Sequence, residues 1–175
     1  MNKAMTAALP PVPTCIVIYT GSSCQTQSEV GGHAAILCRY IDGELAKRMD
    51  RTGGDAQTTN NRMDMVAVIE GLKQIKLDEA LPIFIVCGAQ IIVRGMTEWL
   101  PGWIAKGWCN GKGEKIGNVD LWQEIIELCN GLNVTFLHAS GHSGGPLQEE
   151  AHRLAVKARG QRKTRNVKFI KGEPA

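Results

Sequence analysis

The sequence predicts a single α/β domain on a five-stranded mixed sheet, with three antiparallel strands first, parallel strands after them and helices on the faces. Three observations carry this. A compact β-branched and apolar run, TCIVIYT, stands near the start. An Asp-Gly pair at Asp42 and Gly43 separates two strand-like segments. Two further short apolar runs, LPIFIVC and NVTFLHAS, alternate with segments of helical period.

The first run, Thr14 to Thr20, is polar only at its ends and reads as a central strand buried on both faces. The segments flanking Asp42-Gly43 read as a hairpin, because that dipeptide accepts the positive φ angles of a tight turn. From Asn60 onward, Met63, Val66, Ala67, Ile69, Leu72 and Ile75 recur at helical spacing, and Thr58 to Asn61 offer N-caps. This predicts a helix of about four turns. Leu81 to Cys87 reads as a buried strand, and the segment from Ala89 as a helix ending near Pro101. Asn118 and Gly131 bracket an amphipathic helix; Asn133 to Ser140 reads as the last strand. A Gly-rich loop, GHSGG, leads into a closing helix with Pro146 in its first turn. The expected organisation is a Pro-containing extension at 1–13, the domain at 14–158 and a basic tail at 159–175.

Of the 175 residues 43% are hydrophobic and 21% charged, and no apolar run approaches the ~18 residues of a membrane span, so no membrane partner is expected. The six cysteines are scattered singly, without zinc-ribbon or redox-dithiol spacing. They read as free thiols in an intracellular reducing compartment. The first 14 residues contain LPPVP, which breaks any signal helix, and carry Lys3 with no acid. This is compatible with an organelle-targeted origin, the mitochondrial matrix being the compartment considered beside the cytoplasm, although the arginines of such a segment are missing.

The net charge of +3 conceals an asymmetry. Lys157, Arg159, Arg162, Lys163, Arg165, Lys168 and Lys171 form an acid-free run, while residues 1–156 hold 13 basic against 16 acidic residues. Such an arm is expected to contact phosphate backbones by counterion release, the plainer reading being a solvated helix end.

Four stretches, TTNNRMDMVAVIEGLK, GMTEWLPGWIAKGW, GNVDLWQEI and GHSGGP, occur in an order that resembles ribonuclease H of the bacterial type 1 class, over roughly Cys15 to Arg159. The resemblance implies a ribonuclease H-like fold and hydrolysis of the RNA strand of RNA/DNA hybrids by two Mg²⁺ ions held on four carboxylates. Carried over position by position, the pattern departs at three of the four. Gly21 stands where the first strand should end in aspartate, in YTGSS. Asp64 stands for the glutamate after NNRM. Gly88 replaces the aspartate after the fourth strand, and His152 that on the last helix. His142 matches the loop histidine, and Asn60, Asn61 and Gln90 match positions that touch the minor groove of the hybrid. Asn60 and Asn61 equally suit a helix start. The turn after the first strand departs too, with Gln27 and Glu29 in QSEVGG. Trp99, Trp103 and Trp108 persist and read as core more readily than as a base-stacking platform.

One carboxylate cannot hold two Mg²⁺ ions. The expectation is therefore no enzyme, no cofactor and no metal: an RNA-associated structural or assembly component of a ribonucleoprotein with protein neighbours, a mitochondrial ribosome being the particle suggested. The nucleic-acid contacts are expected at Asn60, Asn61, Gln90 and the basic run from Lys157 to Lys171. Two alternatives stand beside it: a free binder of RNA/DNA hybrid or double-stranded RNA, and a hydrolase with a softer metal at Asp64 and His152.

Overall fold

The computed structural model describes residues 10–140 and 143–159. Within them the chain forms β1 (Cys15–Cys24), β2 (Gly31–Ile41), β3 (Glu44–Asp55), α1 (Asn60–Leu72), β4 (Ile83–Cys87), α2 (Gln90–Arg94), α3 (Leu100–Ala105), α4 (Val119–Cys129), β5 (Val134–His138) and α5 (Gly145–Ala158). The sheet runs β3-β2-β1-β4-β5; β1 pairs antiparallel with β2 and β2 with β3, while β4 pairs parallel with both β1 and β5. This is the predicted five-stranded mixed sheet, and the hairpin turn falls at Asp42 (φ 51°) and Gly43 (φ 84°) as the dipeptide implied.

Alternation along β1 sorts its side chains between two cores. Ile16 and Ile18 join Val68, Ile69, Leu72, Ile85, Trp122 and Ile125 beneath α1 and α4; Val17 and Tyr19 face the other way, onto Ile36, Cys38 and Ala151 of α5. Burying each large aliphatic side chain contributes about 1.5–3 kcal/mol, so the first, larger core dominates the stability of the sheet. That both faces are covered explains why β1 carries no polar residue before Thr20.

Helix α5 lies unusually close to the sheet. A Cβ on Gly32 would come within 2.0 Å of the Ala155 carbonyl oxygen, and one on Gly21 within 2.3 Å of the Ala151 carbonyl carbon. Glycine at both positions lets the helix backbone rest on β1 and β2 directly. A charged cluster pins the same helix to the sheet edge: Arg48 of β3 donates to Asp50 at 2.8 and 2.9 Å and to Glu150 of α5 at 2.7 Å. Asp50 is buried, so removing Arg48 would leave an uncompensated charge inside.

The helix from Gln90 does not stop at Pro101. Gly95–Trp99 widens into a π-helical turn, and α3 begins again at Leu100 with the proline in its first turn. A proline there lacks only an N–H that a helix start leaves unpaired, so the chain absorbs it by widening one turn. Trp122 packs against Gly95 and meets Trp103 edge-on at 5.2 Å, Trp103 meets Trp99 at 5.7 Å, and Trp103 and Trp108 rest on the main core. These rings serve packing, while Arg94 stacks 4.7 Å above Trp99 at the surface.

Candidate nucleic-acid interface

The parallel pair β1 and β4 sets the site. Their register matches Tyr19 to Val86, so Gly21 and Gly88, each two residues further on, reach the same carboxyl end of the sheet. That edge, between the start of α1 and the middle of α5, opens a groove of about 910 Å³ lined by Gly21, Ser22, Asp64, Gly88, His152 and Arg153, with Asn60, Asn61 and Gln90 along it. In open α/β sheets such an end is where ligands bind, because loops and helix starts converge beyond the strands.

Alternation turns Ser22 toward α1, where its hydroxyl donates to the Asp64 carboxylate at 2.6 Å. Burial pushes the Asp64 carboxyl up to about 6, against the downward pull of that hydrogen bond and of His152. The His152 ring turns back onto β1, its Nδ1 3.0 Å from the Ser22 carbonyl oxygen. A carbonyl only accepts, so Nδ1 carries the proton. Four residues earlier on α5, the Gln148 amide donates to the Thr20 carbonyl at 2.7 Å, and its buried Oε1 finds no partner among the described residues. One residue, Ser22, thus ties α1 and α5 together through its hydroxyl and its carbonyl.

The two glycines at this edge differ. A Cβ on Gly21 would meet Ala151 C at 2.3 Å, Ala151 O at 2.4 Å and the His152 nitrogen at 2.5 Å, so the backbone of α5 occupies the space a side chain would need. At Gly88 the nearest atoms are Ala139 O at 3.7 Å and Gln148 Nε2 at 3.9 Å, an open slot. The Mg²⁺ pair that the resemblance implies requires several hard oxygen donors converging on two ions about 3.5–4 Å apart. Gly21 and Gly88 supply none, Asp64 already accepts from Ser22, and among the described residues no group of three or more His, Cys, Asp or Glu could hold a metal ion. The donors present do not fit a two-metal cluster.

The structure gathers Gly21, Asp64, Gly88, His152, Asn60, Asn61 and Gln90 around one groove. The helix-start role falls to Thr59, whose hydroxyl accepts from the Arg62 amide at 3.3 Å, which leaves the exposed Asn60 and Asn61 side chains to the groove. Lys157 and Arg159 lie at the far end of α5, outside the groove lining. His142, Arg162, Lys163, Arg165, Lys168 and Lys171 lie outside the described residues. Sequence reasoning did not single out Ser22, Gln148 or Arg153. The period of two along β1 carried the signal for Ser22, and the i, i+4 spacing to His152 the signal for Gln148.

A β3-β2-β1-β4-β5 sheet with this groove at the β1/β4 edge, flanked by α1 and α5, defines an α/β domain of the ribonuclease H-like fold. The RNase H family model matches residues 13–159, and the chain belongs to the ribonuclease H family. It is 37% identical over 140 residues to the Ribonuclease H of Cupriavidus pinatubonensis, covering 80% of this chain and 92% of that one. It is 38% identical to the Ribonuclease H of Hahella chejuensis over 80% of this chain and 90% of the other. Among solved structures, LC9-RNase H1, described as a type 1 RNase H with the type 2 active-site motif, superposes with a TM-score of 0.76 at 28% identity, covering 94% of this chain and 80% of that one. A foamy viral protease-reverse transcriptase in complex with RNA/DNA hybrid shares the fold at TM-score 0.69 and 18% identity, over 90% of this chain and 22% of that one.

These findings overturn two expectations. The reading of the chain as no enzyme, and as a structural part of a ribosome or other ribonucleoprotein, is contradicted by relatives about 37% identical over most of the chain that bear the name Ribonuclease H. Those names give no support to a ribosomal role or a mitochondrial site. The error lay in letting four side chains stand for the class. Similarity spread over the whole domain is the broader observation, and LC9-RNase H1 is a type 1 protein whose active-site motif is itself of another type.

Proposed function

We propose that the chain engages RNA/DNA hybrids along the β1/β4 groove and acts on them as a nuclease of the ribonuclease H class, at a centre that departs from the four-carboxylate set. The observation that carries this reading is the shared groove: the amides of Asn60, Asn61 and Gln90 line the same cleft as Asp64 and His152. Amides donate to and accept from base edges and 2′-hydroxyls across a wide minor groove, which a hybrid offers and B-form DNA does not. The relatives' name supports the substrate class.

The two-metal scheme supplies no step here, since its donors are missing. What the chain's own residues do is narrower. Ser22 orients Asp64 and anchors His152, Gln148 holds α5 against the end of β1, and the Asn60–Asn61 start of α1 presents amides to the bound strands.

The test is hybrid binding and RNA-strand cleavage measured on the same full-length preparation. Affinity is expected to favour a hybrid over duplex DNA of the same sequence, and Asn61→Ala with Gln90→Ala to lower it by about tenfold, the loss of one or two good polar contacts. Equal affinity for duplex DNA, or indifference to both substitutions, would remove the hybrid reading. Absence of RNA-strand products at high protein concentration would remove the nuclease part alone.

A further inference from the structure

We propose that the groove seats a backbone phosphate of the hybrid directly, with no divalent cation between protein and phosphate. The proposal rests on the hybrid-engaging reading above and adds to it the chemistry of the contact. Where several carboxylates face a phosphodiester, like charges repel and a cation must lie between them. At the ends of β1 and β4 this groove has no such arrangement. The α5 backbone fills the space beside Gly21, the slot at Gly88 is uncharged and open, and Asp64 is covered by the Ser22 hydroxyl at 2.6 Å.

The remaining charges are mixed. On α5, Glu149 and the exposed Arg153 both line the groove, and His152 stands between the groove and β1 with Nδ1 on the Ser22 carbonyl. A guanidinium donates to phosphate oxygens, bidentately where geometry permits, and the amides of Asn60, Asn61 and Gln90 add neutral donors along the same wall. Substituting glycine and histidine for carboxylates therefore changes which partner this edge accepts: from a metal ion to the phosphate itself. Nothing in this depends on the basic run beyond residue 156, so the test must act inside the groove.

The experiment measures hybrid affinity by fluorescence anisotropy with the full-length chain, in Mg²⁺ and in EDTA at matched ionic strength. The two dissociation constants are expected to agree within about twofold, because screening is held constant. Gly88→Asp then puts a carboxylate into the open slot, and His152→Asp puts one on the exposed face of α5. Each is expected to weaken binding in EDTA by about fivefold or more and to recover it in Mg²⁺, which restores the bridging requirement. Thermal unfolding of both variants reports that the fold is kept. Loss of about tenfold on moving the wild type to EDTA overturns the proposal, as do variants that bind in EDTA as well as the wild type. Failure to bind hybrid in either buffer overturns the functional reading instead.

Discussion

His33 and Asp64 make opposite demands on the same pH range. His33 is 1% exposed in β2, on the face covered by α1, and burial pushes its imidazole down from 6.5 to about 4. Its Nδ1 has no partner among the described residues, so a proton there gains no acceptor to offset desolvation. A base held neutral costs nothing above its unfolded value. As pH falls from about 6.5 toward 4 the unfolded chain takes up a proton that the folded one refuses, and stability drops by roughly 3 kcal/mol. Asp64 runs the other way. Its carboxyl is raised from 3.8 to about 6, so its ionisation destabilises the fold above 6, and that loss is recovered as pH falls toward 3.8. The native protein should therefore show a shallow urea-midpoint profile between pH 4 and 6.5, the window set by these two groups. His33→Leu should make stability rise on acidification, and Asp64→Asn should make it fall; parallel profiles for the two variants would refute the assignment.

At the scale of the element, α5 is held by close approach as much as by apolar contact. Its backbone lies against Gly21 of β1 and Gly32 of β2, and Arg48 clamps Glu150 from β3. Gly21→Ala forces a Cβ to within 2.3 Å of a helix carbonyl carbon, and the helix must move as a body; a loss of about 2–3 kcal/mol in denaturant unfolding is expected. Gly88→Ala meets nothing nearer than 3.7 Å and should cost no more than about 0.5 kcal/mol. Equal costs would mean that α5 sits further from β1 than described. The contrast bears on the site as well. An aspartate at Gly21 alone cannot project into the groove without displacing α5, so that single substitution is not expected to raise Mg²⁺-dependent cleavage.

For the whole molecule, nucleic acid is expected to be held by the groove and by the basic run. The 160–175 segment carries five basic residues, Arg162, Lys163, Arg165, Lys168 and Lys171. Deleting it should lower the slope of log affinity against log salt by up to about four, since each released phosphate contact contributes a little under one. Preference for hybrid over duplex DNA should survive, because phosphate contacts position a duplex but do not identify it. A truncation that kept the salt slope but lost the preference would reverse these roles.

How far the sequence alone reached follows from the range of the interactions involved. Hairpin, strands and helix starts were legible because local chemistry decides them: Asp42-Gly43 accepts positive φ, and period two or 3.6 declares which face is buried. The course of the helix past Pro101 was not, since the widened turn that absorbs the proline packs Gly95 against the distant Trp122 ring. The family was also readable from its motifs, as were the residue types at Gly21, Gly88 and His152. Their meaning was not. That α5 backbone fills the Gly21 space while the Gly88 slot stays open, and that Ser22 covers Asp64 while its carbonyl takes His152, are contacts between residues up to 130 positions apart. The sequence by itself determined which residue types stand at the site; only tertiary packing decided which spaces beside them are filled and which remain open, because that turns on tenths of an ångström between elements whose separation no local pattern encodes.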